Sequence, residues 1–176
     1  MPMRSRSRSG SISRRAEPPV AASDQRIAQI TLDERTVVRR NADIEHERAL
    51  AITGLLDDNS FAPIAGGGGP FHVRLGIEEN RLVLDVSGAD DRSERVFLPL
   101  APFRRIVKDY FLVCESYYNA VRSASPARIE AIDMGRRALH DEGSDQLRDC
   151  LAERVRVDFN TARRLFTLLC VLHIRG

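Results

Sequence analysis

Hydrophobic and polar residues alternate between residues 71 and 98, whereas beyond residue 100 the hydrophobic ones recur every three or four positions. Alternation puts successive side chains on opposite faces of a strand, and three- and four-residue spacing lines one face of a helix. "FHVRLGI" places Phe71, Val73, Leu75 and Ile77 on one side, and "RLVLDVSG" does the same with Leu82, Leu84 and Val86. The "EEN" between them, at 78–80, predicts a hairpin with Asn80 in its turn. "SGADDRSE" predicts a second turn, and "RVFLPL" a third strand ending at Pro99. Upstream, "QRIAQITLDE" at 25–34 predicts a first strand through Ile27, Ile30 and Leu32. "NADIEHERALAITGLL" at 41–56 predicts a helix capped by Asn41, with Ile44, Ala49, Leu50, Ile52 and Leu55 on one face and "DDNS" as its stop.

The C-terminal half reads as helices. Phe103, Ile106, Val107, Tyr110, Val113, Cys114, Tyr117 and Val121 share helical spacing, with Pro102 in the first turn. "SPARIEAIDMGRRALHDEG" opens on a Ser125 cap and Pro126 and is expected to close at Gly143, after which Ser144 caps a separate helix, "DQLRDCLAER". "VRVDF" alternates and predicts a short strand. Asp158 or Asn160 then caps "TARRLFTLLCVLHI", which is apolar almost all round and must lie inside the core or at a subunit interface. Strands followed by helices indicate an α+β fold: an antiparallel meander over about 71–98 and an N-terminal strand, packed against three to four mostly C-terminal helices.

Composition adds a boundary. The chain has 176 residues, 43% hydrophobic and 30% charged, as an ordinary globular protein does. Its net charge of +2 is uneven: residues 1–24 hold five arginines against Glu17 and Asp24, which leaves the remainder at about −1. Residues 1–23 are rich in Arg and Ser and poor in apolar surface, so they are expected to form a disordered tail ahead of one globular domain, 24–176. The tail lacks the apolar stretch of a secretory signal and the amphipathic face of a transit peptide. Nucleic acid is expected as a partner only through its arginines. The longest apolar run, Leu165–Leu172, is broken by Thr167 and too short to span a bilayer. Cys114, Cys150 and Cys170 are an odd count without short spacing and read as buried, reduced thiols of a cytoplasmic protein.

Candidate chemistry is sparse. The four glycines at 66–69 invite a phosphate-loop reading, but helix precedes and strand follows them, no Lys-Ser/Thr follows, and Pro70 removes a donor. They are expected to form a mobile connection. His140, Asp141 and Glu142 cluster in "LHDEGSD", yet neighbours on a helix diverge by about 100°, so no metal site is expected there or in "DIEHE" around His46. His173 reads as a structural histidine at a helix C-terminus. No nucleophile elbow of the G-x-S-x-G form is present. "DFNTARRLF" at 158–166 stands out: Asp158 suits a cap, while Arg163 and Arg164 near a helix N-terminus oppose the helix dipole. They suit either a buried ion-pair network or an anionic group.

"NRLVLDVSG", "LPLAPFRRIVKDYFLVCESYYNAVR" and above all "DFNTARRLFTLLCVLHIR" resemble a family of small bacterial proteins known only as an uncharacterised protein family. The likeness spans roughly 25–175. It implies a compact bacterial cytoplasmic protein and brings no activity, cofactor or catalytic residue. Three readings follow. The first is a non-enzymatic interaction or regulatory module without cofactor, as a homodimer through the last helix or otherwise. The second is an enzyme or binder of a small anion using Asp158, Arg163 and Arg164 with His140, Asp141 or Glu142. The third is a nucleic-acid-associated protein acting through the tail.

Overall fold

The alternating segments form a sheet with one face turned to the helices, in a computed structural model that describes residues 24–36 and 42–173. The tail, the Asn41 cap and the residues after His173 lie outside the described residues. The element order is β1 (Ile27–Leu32), α1 (Ala42–Asp57), β2 (Phe61–Pro63), β3 (Phe71–Glu78), β4 (Arg81–Ser87), β5 (Ser93–Pro99), α2 (Arg104–Ser123), α3 (Pro126–Leu151), β6 (Val155–Val157) and α4 (Phe159–His173). The fold is α+β. The main sheet has the order β1-β3-β4-β5, with β1 parallel to β3 and the meander β3-β4-β5 antiparallel.

Register follows the hydrophobic pattern. Leu75 lies opposite Leu84, which lies opposite Val96, and Ile77, Leu82 and Leu98 form the next row. All six are buried. Glu79 and Asn80 both take positive φ (46° and 63°), as a two-residue hairpin turn requires. Asn59 ends α1 and anchors β1: its amide nitrogen donates to Leu55 O (2.7 Å) and Ile27 O (2.9 Å), and its Oδ1 accepts from Ile27 N (2.7 Å). The strand β2 went unseen in the sequence; it pairs antiparallel with β6, close in space and far apart in the chain.

Two expectations are corrected. The glycine run is a pinned turn, not a mobile connection. Gly68 N donates to the Asp90 carboxylate (3.1 Å), Gly68 O accepts from Ala89 N (2.9 Å), and Gln25 Nε2 donates to Gly67 O (3.2 Å). Gly66 and Gly67 take φ of 83° and 122°, and a side chain at Gly69 would collide with the backbone of Asp24. The second correction is α3, which is continuous from Pro126 to Leu151. Gly143 does not terminate it: the residue is buried, and the Phe166 ring of α4 occupies the space where a side chain would stand. Ser144, also buried, donates from Oγ to His140 O one turn earlier (2.6 Å) instead of capping a new helix. Small residues here let α3 and α4 approach closely.

Helix α4 fills the centre. Leu165, Phe166, Leu168, Leu169, Cys170 and Leu172 all join the core cluster with residues of β3, α1 and α3. The first of the two placements expected for this helix, inside the core, is the one observed. Each of the leucine and phenylalanine side chains contributes roughly 1.5–3 kcal/mol on burial. On α1 the buried positions are Ala51 and Leu55, whereas Leu50 is largely exposed and lines a cavity.

Candidate functional site

The close approach of α3 and α4 brings two similar short segments together. "RRALH" at 136–140 and "RRLFT" at 163–167 each carry an arginine pair followed, three residues after its second member, by a polar side chain. On a helix, positions i, i+1 and i+4 share one broad side. Arg136, Arg137 and His140 from α3 and Arg163, Arg164 and Thr167 from α4 accordingly line one cavity of about 410 Å³. Helix α1 closes it with Glu47, Leu50 and Ala51, and Tyr110 of α2 completes the lining. Glu47 is the one carboxylate among these lining residues.

Each guanidinium is held from behind. Arg136 donates through Nε (2.9 Å) and Nη2 (2.7 Å) to Asp133 Oδ1, and Arg137 Nη2 reaches Asp133 Oδ2 at 2.7 Å. The Arg136 guanidinium also sits 5.3 Å from the centre of the Tyr117 ring. Arg163 Nη1 donates to Asp141 Oδ1 (2.8 Å). Arg164 Nη1 donates to a neutral partner, the backbone oxygen of Asp58 (3.0 Å). These bonds engage one or two of the five N–H donors on each guanidinium. Burial pulls the Arg136 pKa down, but the bond to Asp133 and the nearness of Tyr110 outweigh it and the net shift is upward. Asp133 is shifted down, chiefly by its hydrogen bond from Arg136. Both are fully charged at neutral pH.

His140 is different in kind. It is 7% exposed and packs edge-on against Tyr110 and Phe166, with ring centres 5.3 Å away in each case. Burial, then the charges of Arg163 and Arg136 against that of Asp141, lower its pKa to about 4. The imidazole is neutral at pH 7. Thr167 Oγ1 lies 2.9 Å from His140 Nε2 and 3.2 Å from Arg163 O; when the hydroxyl donates to Arg163 O it accepts from Nε2. Nδ1 is buried and has no hydrogen-bond partner among the described residues. The imidazole is thus a weak base whose second ring nitrogen has no orienting carboxylate among the described residues. The three thiols are unsuited to nucleophilic work, since burial raises the pKa of Cys114, Cys150 and Cys170. Among the described residues no group of three or more His, Cys, Asp or Glu is placed to hold a metal ion, and no helix is long and apolar enough to cross a membrane.

A model of an uncharacterised protein family, UPF0262, matches residues 24–175. The chain belongs to this family. Its UPF0262 relatives include a protein of Nitrobacter hamburgensis, 56% identical over 160 residues (90% of this chain and 98% of the relative). One from Rhizobium etli is 52% identical over 158 residues (89% and 100%), and one from Rhodopseudomonas palustris is 54% identical over 162 residues (92% and 99%). No solved structure gives a significant match. The family has no assigned function, and the names of these relatives carry none.

Of the residues singled out in the sequence of this UPF0262 chain, His140, Arg163 and Arg164 line the cavity, and Asp141 stands beside it through its ion pair with Arg163. Glu142 is exposed on α3 and absent from the lining. Asp158 is also elsewhere: its Oδ1 accepts from Thr161 N (2.7 Å) and caps α4. Asp158→Ala is expected to lower stability by about 1 kcal/mol and Asp158→Asn to retain most of it. Urea denaturation of the three proteins measures this; equal midpoints for wild type and Asp158→Ala would remove the capping role. Arg136 and Arg137 were missed. The signal for them was the repeated arginine pair, visible only when "GRRALH" is set beside "ARRLFT".

Proposed function

We propose that this UPF0262 protein is a non-enzymatic, cytoplasmic regulatory module that binds a small, multiply anionic ligand in the cavity between α1, α3 and α4. The observation that supports it is that four arginines, two from each of two adjoining helices, line a cavity whose lining holds one carboxylate. Guanidinium groups recognise carboxylate and phosphate oxygens through paired, charge-assisted hydrogen bonds. The carboxylates and backbone oxygen behind them hold the groups in place before a ligand arrives, which reduces the ordering cost of binding. A cavity of about 410 Å³ falls in the range of small-molecule sites. The apolar sides of α4 are covered within one chain, which favours a single chain as the binding unit.

Titration calorimetry at low ionic strength with phosphate, pyrophosphate and succinate tests the reading. At least one is expected to bind, more weakly as salt rises. Arg137→Gln and Arg164→Gln are each expected to weaken it about tenfold or more, since a hydrogen bond to a charged group is worth roughly 1.5–3 kcal/mol. Absence of heat with all three anions, or unchanged affinity in the double variant, would overturn it.

A further inference from the structure

The arginine cavity adjoins a larger space of opposite character. A groove of about 730 Å³ runs between α1, α2 and α4 and shares Glu47, Tyr110 and Thr167 with the cavity as a common wall. Its sides include Ile44, Val107, Phe111 and Val171, and Leu112 and Tyr118 stand in it 52% and 37% exposed. Its charged lining is two cations, Arg104 and Lys108, against the carboxylates of Asp43, Glu47 and Glu115, and His173 also lines it. The charge bias is therefore confined to one compartment. Four arginines and Glu47 line the space on one side of the wall, and on the other the balance is slightly acidic. The wall is itself a link, because Tyr110, Glu47 and Thr167 each line both spaces.

A compact dianion would use the cavity and leave the adjoining apolar surface to water, where large exposed hydrophobics mark a binding surface. Resting on the anion-site reading, we propose that the ligand is an amphiphile, a phosphate monoester with an aliphatic chain, its phosphate held by Arg136, Arg137, Arg163 and Arg164 and its chain laid past Tyr110 into the groove. The slightly acidic groove discriminates against a second anionic group there, so the charge enters at one end only. The chain contributes affinity by burial, and the arginines contribute orientation and selectivity for the head.

The test uses the full chain and a series: inorganic phosphate, then butyl, hexyl and octyl phosphate, each below its micelle concentration, titrated calorimetrically. Complete burial makes binding about fourfold tighter per methylene, so incomplete burial still predicts a gain of at least about tenfold from butyl to octyl. Leu112→Ser/Tyr118→Ser, at two exposed positions, is expected to bring the octyl-to-butyl ratio close to one. Arg164→Gln is expected to weaken every member of the series by a similar factor. If inorganic phosphate and octyl phosphate bind equally, the amphiphile is wrong and the anion site stands. If no phosphate or alkyl phosphate binds, the proposed phosphate head is wrong, and the pyrophosphate and succinate titrations then decide whether the anion site survives. Octyl phosphate binding that is indifferent to Arg164→Gln would show apolar capture without head recognition and overturn the proposal. A parallel sedimentation with phosphatidylcholine vesicles containing phosphatidic acid separates the sources: pelleting without any response to monomeric alkyl phosphates would place the head at a membrane and the chain outside the groove, which also overturns it.

Discussion

Gly143→Ala is expected to destabilise the protein by about 2 kcal/mol, and the same change made together with Phe166→Leu to cost little or nothing further. Two effects oppose each other at this position. In a helix interior alanine is favoured over glycine by about 1 kcal/mol, so propensity alone predicts a gain. Against it stands the Phe166 ring, which is fully buried and fills the space a methyl group at 143 would need. Overpacking of a dense core costs roughly 1–3 kcal/mol or more, because side chains leave their rotamers or the helices separate. With both residues at the α3–α4 crossing, packing wins in the wild-type context. A leucine in place of Phe166 is shorter and mobile at the tip, and with it the propensity gain offsets the remaining conflict. Urea denaturation of the four proteins in the cycle measures the coupling. A stabilising Gly143→Ala, or the same ΔΔG in both backgrounds, would mean that the helices do not meet there.

Stability is expected to fall by up to about 3 kcal/mol, through His140 alone, as pH drops from 6.5 to 4. The sign follows from the direction of the shift. His140 has a pKa of about 4 in the folded protein against an ordinary 6.5, so across that window the unfolded chain binds a proton that the folded chain refuses. Protonation therefore favours unfolding, and above pH 6.5 both states are neutral and the contribution is flat. Carboxylates titrate at the lower end of the same window, so the informative quantity is a difference. The wild-type curve is expected to fall more steeply than that of His140→Gln, which has an amide N–H to offer Thr167 but no titrating ring. Chemical denaturation at several pH values from 7.5 to 4.5 measures both. Parallel curves would refute the buried, neutral imidazole.

The meander was readable because alternation, turn residues and β-rich composition all agree over residues 71–98, and every inward position so identified in β3 and β4 is buried. The positions of α2 and α4 were readable from their three- and four-residue spacing, although Val121, read as part of the α2 apolar face, is exposed. What escaped reading depends on contacts between distant segments. Gly143 and Ser144 have the local look of a helix stop and a new cap, and only Phe166, across the α3–α4 seam, shows why a glycine is needed inside a helix. "FAP" in β2 has no polar residue to alternate with, and its strand state exists because β6 supplies the partner. The glycines at 66–69 resemble a flexible joint until Asp24 and the turn at 88–90 are packed against them. Half of the arginine cavity was legible: Arg163 and Arg164 stood out because they oppose a helix dipole. Arg136 and Arg137, in mid-helix, break no local rule and gain meaning only from the cavity they share.

The central position of α4 bears on synthesis. The helix is translated after every described element that surrounds it, including α1, α3 and the sheet. The apolar sides of those elements therefore emerge from the ribosome before the residues that cover them, and β2 waits as long for β6. The core of such an arrangement, unlike that of repeat proteins whose units settle against their predecessors, lacks its central helix until α4 is made. Among the described elements, the one at the centre of the core is the one translated after all the others.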